Sequence, residues 1–324
     1  MLRGILLAGM LFICLPLAAA QEEVKEWLDK MAAAEQFLNY EGTFIYTNGP
    51  QVETMQIVHG FDKHGERERM SSLTGDVREI IRDEKHLVSV LPVRKKVLIE
   101  SRGKQLSSPA KLLEGLEQSE AYYEYSLKGA ERIAGHNCQI LSIYPKDNFR
   151  YGYRLCIEIE TGILLKSLTQ DHAGKTHEQM MFTSISMPEF IETDQFHSVM
   201  HKDDFDLKQS PDTLGEKTLA KPDRRWMIGE LPPGFRITEE AMRQIASSKQ
   251  PVQHIIIDDG LASISTFIAP SQKDELVAEG IFRSGGLNAY TRLIANHTVT
   301  VIGEVPEKTI RFIAESISYN ISTP

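Results

Sequence analysis

The sequence predicts an α+β protein in two parts, a large curled antiparallel sheet crossed by a few helices and a smaller α+β domain after it. Three observations carry the prediction. Between Tyr144 and Leu168 (YPKDNFRYGYRLCIEIETGILLKSL) apolar and polar side chains alternate on both sides of the turn Pro145-Lys146-Asp147-Asn148. That period of two is what a half-buried strand requires, because successive side chains point to opposite faces. Similar short runs recur through the first half with turn residues between them, the signature of a many-stranded antiparallel sheet. From about residue 187 to 225 the periodicity fades and Pro, Asp, Ser and Lys accumulate, which reads as a connector with room for one short helix near Phe196. The expected division is a signal peptide over 1–20, a large domain over 21–190, a linker over 191–222 and a small domain over 223–324.

Taken in order, Arg3, the apolar run Ile5 to Leu17 and Ala18-Ala19-Ala20 before Gln21 read as a cleavable export signal. The run is shorter than the ~20 apolar residues of a spanning helix, and Phe12 and Ile13 are too bulky to precede a lipidated Cys14. Val24 to Leu38 places Trp27, Leu28, Met31, Ala34 and Leu38 on one helical stripe. Strands are expected at Tyr40–Tyr46, Glu53–Phe61, Glu66–Leu73, Val77–Arg82, His86–Leu91 and Val93–Glu100. Pro109 to Leu116 reads as a short helix with proline in its first turn. Strands resume at Tyr122–Leu127 and continue through the hairpin to Thr176–Ile185. Curling such a sheet and laying helices across it is an economical way to bury one apolar face. Past the linker, WMIGELPPGF (Trp226 to Phe235) leads strands near Phe235–Ala241, Val252–Asp258, Ala262–Ala269, Ala289–Ile294 and Thr298–Glu304. An amphipathic helix over Pro306–Ile317 closes the chain.

The formal net charge of −9 at pH 7 argues against nucleic acid as a partner, since that surface rewards clustered Lys and Arg. After loss of the leader only Cys138 and Cys156 remain. If the hairpin folds symmetrically about Asp147, the two face each other across adjacent strands. There Cα atoms are about 4.5–5.5 Å apart, within disulfide range. The alternative is a pair of buried thiols acting as small hydrophobes, and both readings stay open.

No nucleotide-binding glycine loop and no nucleophile elbow occurs in the chain. Ser101-Arg102-Gly103-Lys104 has Ser-x-x-Lys spacing but sits at a strand end. His197 and His201, followed by Asp203 and Asp204, would share a face of a helix as zinc ligands do. They lie in the expected linker without the glutamate of a metalloprotease helix, so no metal and no cofactor is expected. Arg94-Lys95-Lys96 is the densest basic run. On a strand Arg94 and Lys96 share a face, where they either blunt an exposed edge or meet a phosphate-bearing ligand at the sheet rim. Phe44, Ile57 and Val90 are among the bulky residues that line a lipid-sized cavity if helices leave the sheet face partly uncovered.

Five stretches carry a resemblance: YEGTFIY at 40–46, RYGYRL with ETGILLKSL across 150–168, ELPPGF at 230–235, DGLASISTFIAP at 259–270 and TVIGEVP at 300–306. In this order they resemble the MucB/RseB family of periplasmic sigma-factor regulators. The resemblance implies a large half-barrel like those of the lipoprotein carriers LolA and LolB, with a small second domain. It implies a non-enzymatic periplasmic protein that binds the periplasmic domain of a RseA- or MucA-type anti-sigma factor. Such a protein shields that factor from regulated proteolysis until lipopolysaccharide or another acylated lipid releases it. A homo-oligomer is compatible with this reading, and a periplasmic lipid or lipoprotein carrier is the alternative. Leu231, Pro232, Pro233 and Phe235 are the candidate partner contacts, two prolines stiffening a turn that offers Phe235 as an apolar anchor; the alternative is that Phe235 starts the core of its own domain, and both readings stay open.

Overall fold

The computed structural model of the protein describes residues 15–63, 65–91, 96–101, 115–116, 118–198, 206–209, 221–245, 248, 250–271 and 278–320. The chain enters through α1 (Leu15–Phe37). Its apolar stripe is buried, with Val24, Leu28, Met31 and Ala34 each 2% exposed or less.

A twelve-stranded sheet follows. Its strands are β1 (Tyr40–Asn48), β2 (Gln51–Asp62), β3 (Gly65–Ser72), β4 (Glu79–Arg82), β5 (His86–Leu91), β6 (Lys96–Ser101), β7 (Tyr123–Ile133), β8 (His136–Pro145), β9 (Gly152–Glu158), β10 (Leu164–Gln170), β11 (Thr176–Ser186) and β12 (Asp206–Gln209). The spatial order is β12-β6-β5-β4-β3-β2-β1-β11-β10-β9-β8-β7. Every pairing is antiparallel except that of β12 with β6, which is parallel. The sheet is open and curled. Strands β7 and β11 lie four positions apart in the order, yet Cα atoms of the two come within 8 Å, where a flat sheet would hold them roughly 19 Å apart. Helix α1 lies inside the curl and packs against both β7 and β2. This is the half-barrel with a crossing helix.

The second part is a six-stranded antiparallel sheet in the order β14-β15-β16-β19-β18-β17. It comprises β14 (Arg236–Arg243), β15 (Val252–Asp258), β16 (Ser263–Pro270), β17 (Gly280–Ser284), β18 (Leu287–Ile294) and β19 (His297–Gly303). Helix α2 (Glu307–Ser316) covers it, burying Ile310 and Ile313 completely. A two-stranded ribbon of β13 (Trp226–Ile228) and β20 (Ile317–Tyr319) ties the ends of this part together.

Three expectations need correction. Strand β17 carries no alternation in its sequence GIFRS and two of its residues are exposed, so periodicity had nothing to report there. The segment expected as a linker is in part structural. Ile191 and Phe196 are buried with Val58, Arg67 stacks on the Phe196 ring at 4.4 Å, and Asp206–Gln209 adds a strand to the large sheet. The hairpin register also differs. Cys138 stands opposite Glu158, and Cys156 opposite Ile140, a shift of two residues from symmetry about Asp147. An even shift keeps both cysteines on one face, and they are joined by a disulfide with Cα atoms 5.3 Å apart.

Candidate functional site

Among the described residues, two places gather polar side chains into buried surroundings and are taken in turn. The first is a pocket of about 270 Å³ between α1 and the sheet. Its floor is Phe44, Ile57, Met70, Met180 and Phe182, and α1 contributes Met31 and Glu35. The strand registers explain why one end of it is polar. Tyr40 is opposite His59, His59 opposite Glu68, and Glu68 opposite Arg82, so four polar residues form one row across four strands and share a face. In the neighbouring row Gly42, Ile57 and Met70 stand opposite one another.

The polar row is tightly bonded. The Arg82 guanidinium donates to Glu66 at 2.7 Å and to Glu68 at 3.0 Å. His59, fully buried, has Nδ1 2.8 Å from the Leu38 carbonyl and Nε2 3.5 Å from Glu66, and its ring stacks on Tyr40 with centroids 4.7 Å apart. Burial, with Glu68 and Glu35 adding to it, holds the Tyr40 hydroxyl well above its ordinary range. Burial opposes the charge on Arg82, but Glu68, Glu66 and Glu35 together raise its guanidinium above the ordinary value.

Phe44 and Ile57 therefore line the pocket as expected of a cavity wall. Val90 does not. It stands opposite Glu79, which stands opposite Ser71, whereas Met70 lines the pocket; one residue of parity puts Val90 on the other face. Ile81 and Val88, opposite each other, face that way too. Arg94 lies outside the described residues, and of Lys96 only the strand backbone, paired with Leu91 and Asp206, is described. His197 follows a single 3-10 turn, Thr193–Phe196, while His201, Asp203 and Asp204 lie outside the described residues. Among the described residues no group of three or more His, Cys, Asp or Glu could hold a metal.

The second place is the seam between the two sheets, and it gathers three of the quoted motifs. The β8–β9 connection reaches into the small part. Arg150, fully buried, donates from Nη1 to Asp259 at 2.7 Å, from Nε to Asp147 at 3.1 Å and from Nη2 to the Pro233 carbonyl. Its guanidinium carbon lies 4.7 Å from the centroid of the Tyr122 ring and 4.9 Å from that of Phe235. Asp259 is satisfied from all sides, accepting the Leu261 and Ala262 N–H groups at 2.9 and 2.7 Å and the Tyr123 hydroxyl at 3.2 Å. Burial pushes its carboxyl above the ordinary range against the pull of those N–H groups and of Arg150. Beside it, Phe149 packs edge-on against Phe312 at 5.7 Å, and Asn288 donates to the Tyr151 hydroxyl at 3.2 Å. Gly286 N–H reaches Glu178 at 3.1 Å on the far side of the seam.

Here the ELPPGF turn finds its place. Gly234 has φ +85°, and a Cβ there would fall 2.3 Å from the Tyr122 ring, so glycine is required both by conformation and by close approach. Pro232 is buried, Pro233 is exposed and Leu231 packs half-buried on the small core. Phe235 is 6% exposed, its ring lying between Arg150 and the small core, the placement expected of a residue that starts the core of its domain. Arg150 and Asp259 are the residues that sequence reasoning missed. Both stood inside quoted motifs, but neither was paired with the other.

Comparison with known proteins agrees with this two-part layout. Residues 23–200 match the MucB/RseB N-terminal domain family and residues 220–318 the MucB/RseB C-terminal domain family. The chain is 29% identical over 318 residues to the sigma factor AlgU regulatory protein MucB of Pseudomonas aeruginosa, covering 93% of this chain and 92% of that one. It is 26% identical to the sigma-E factor regulatory protein RseB of Haemophilus influenzae, with 94% of each covered. The solved Pseudomonas aeruginosa MucA/MucB complex aligns with a TM-score of 0.69 at 26% identity, over 93% of this chain and all of that one. A crystal structure of MucB in complex with MucA(peri) aligns with a TM-score of 0.67 at 26% identity, over 92% of this chain.

Proposed function

We propose, given that the chain belongs to the MucB/RseB family, that it is a periplasmic regulator that binds the periplasmic segment of a MucA- or RseA-type anti-sigma factor. By holding that segment it shields the factor from regulated proteolysis and so restrains an extracytoplasmic sigma factor. The supporting observation is the match over both parts of the chain to a protein solved together with MucA(peri). The protein acts by binding rather than by turnover. A carrier role for lipids or lipoproteins, which the pocket under α1 favours, accounts for the large sheet but leaves the small one without a task. The division into 21–190, 191–222 and 223–324 belongs to the same reading, with the first part of the middle segment folded onto the large sheet.

The releasing signal on this reading is an acylated, phosphate-bearing envelope lipid, its chains entering the large domain and its phosphate meeting Arg94 and Lys96. Release requires that the lipid bind the partner-free form more tightly, and linkage makes the effect reciprocal. A pull-down with the periplasmic segment of a single-span anti-sigma factor tests the first step. Stoichiometric capture and slower cleavage of the segment by its protease are expected; a segment that neither binds nor is protected overturns the proposal. Lipid and segment are expected to weaken each other by about five- to 150-fold, and simultaneous binding with no mutual effect removes the sensing role.

A further inference from the structure

We propose that a column of side chains along β1 and β11 couples the pocket under α1 to the small part. A chain that fills the pocket pushes through Met180 on Tyr46 and draws Glu178 off the Gly286 N–H. The proposal rests on reading this pocket as a lipid site and names the contact through which its occupancy reaches the seam.

The column follows from register. Past the bulge at Thr43 and Phe44, β1 and β11 pair Phe44 with Phe182, Tyr46 with Met180 and Asn48 with Glu178. Residues two apart share a face, so the three pairs stand in line, roughly 7 Å per step along the strands. Phe44, Phe182 and Met180 line the pocket. Tyr46 and Met180 both pack on the apolar cluster that holds Phe44 and Phe182. The last pair, Asn48 and Glu178, is where these two strands meet the small part.

That meeting is close. Glu178 Oε1 accepts the Gly286 N–H at 3.1 Å. Asn48 lies so near Gly285 that a Cβ there would run into its side chain, and a Cβ on Gly49 would stand 3.8 Å from the Gly285 Cα. Asn288 holds the same turn from the other side, donating to the Gly286 carbonyl at 3.3 Å and to the Val305 carbonyl at 2.8 Å. The turn is thereby fixed to the body of the small part and does not simply follow Glu178.

Tyr46 joins the two ends of the column. Its hydroxyl is hydrogen-bonded to the Glu178 carboxylate and to the Asn48 side chain. Burial, with the charges of Glu178 and Glu304 adding to it, pushes its pKa up to about 12, so at neutral pH it is a phenol that donates to the carboxylate. One carboxylate therefore serves a hydroxyl beside the pocket and an N–H of the other part. Close-packed side chains pass a displacement to their neighbours, and a hydrogen bond weakens steeply once it is stretched or bent. The Arg150–Asp259 pair holds the other end of the seam and acts as the pivot. A partner that needs both parts in one arrangement then loses its hold, which gives the lipid its differential effect.

The test is hydrogen exchange of single amides in the full chain, read by NMR with and without dodecyl phosphate below its micelle concentration. Saturating probe is expected to speed exchange of the Gly286 amide at least about fivefold, the low end of coupling between sites. The Leu261 and Ala262 amides, bonded to Asp259 at the pivot, are expected to keep their protection. Tyr46→Phe removes the hydroxyl and keeps the ring; it is expected to bind the probe as the unaltered chain does and to lose the effect on Gly286. Met180→Trp crowds the column from the pocket side, where the cavity leaves it room to fold, and is expected to speed Gly286 exchange with no probe present. If the probe does not bind while Met180→Trp still loosens Gly286, the column stands and the lipid reading of the pocket falls. If bound probe leaves Gly286 unchanged, or if Tyr46→Phe responds as fully as the unaltered chain, the lipid site stands and the column falls. If the probe does not bind and Met180→Trp has no effect on Gly286, both fall.

Discussion

His254 shows what a single buried side chain does to the stability of the small part. Its ring stacks on Phe267 with centroids 4.5 Å apart and its Nε2 lies 3.0 Å from the Ser265 hydroxyl. Burial, with Arg243 adding to it, pulls its pKa from 6.5 down to about 4. The native state then binds fewer protons than the unfolded chain between these values, so stability rises with pH across that window. The contribution is fully present above pH 6.5 and is lost as pH falls toward 4, amounting to roughly 3 kcal/mol. His254→Phe is expected to flatten the denaturation midpoint between pH 5 and 6.5; an unchanged slope would show that His254 does not set it. Nothing in the local pattern of residues points to this stacking. His254 sits within Val252–Asp258, a strand that was legible from its apolar run, but its stacking partner lies on the neighbouring strand β16.

At the scale of elements, the strands were legible where side chains alternate and the registers were not. The Tyr144–Leu168 pattern identifies the β8–β9 hairpin, yet the turn length that sets its register depends on Phe149 and Arg150 leaving the sheet to enter the other part of the protein. Parity survives such a shift, which is why the cysteine pairing was reachable from sequence while Val90 was misplaced: β4 and β5 had to be phased against β3, and no turn signal fixes that phase. The disulfide closes a loop with a sequence separation of 18. Loop closure of this length stabilises by about 3 kcal/mol, chiefly through the unfolded chain. Replacing both Cys138 and Cys156 by Ser is expected to lower the unfolding free energy of the large part by about 2–4 kcal/mol, read in urea at constant m-value. No difference between the oxidised protein and the double variant would mean that the bond adds nothing beyond packing.

For the molecule as a whole, the decisive contacts join residues that the sequence keeps far apart. Arg150 and Asp259 are separated by 109 positions and Arg150 and Pro233 by 83, so local periodicity could place each on its own element and say nothing of their meeting. The ion pair of Arg150 and Asp259 joins the two sheets across the seam and is buried on both sides. Removing one partner leaves the other charged and buried, a loss of about 3–5 kcal/mol where the group has no other relief. Arg150→Met is therefore expected to uncouple the two parts rather than to unfold either. The Tyr122, Tyr123 and Phe235 rings can close on the methionine, while the Asp259 carboxylate keeps its Leu261 and Ala262 N–H donors. Thermal unfolding is expected to separate into two transitions, and solution scattering to show a larger radius of gyration. The Arg150→Met, Asp259→Leu double variant removes the stranded charge and is expected to regain part of the lost coupling. Should partner binding need both parts held in one arrangement, Arg150→Met weakens capture of the anti-sigma segment while dodecyl phosphate still binds in the pocket under α1. A single unchanged transition in Arg150→Met, with full capture of the segment, would show that the seam is held by apolar contact alone and that the ion pair is incidental to it.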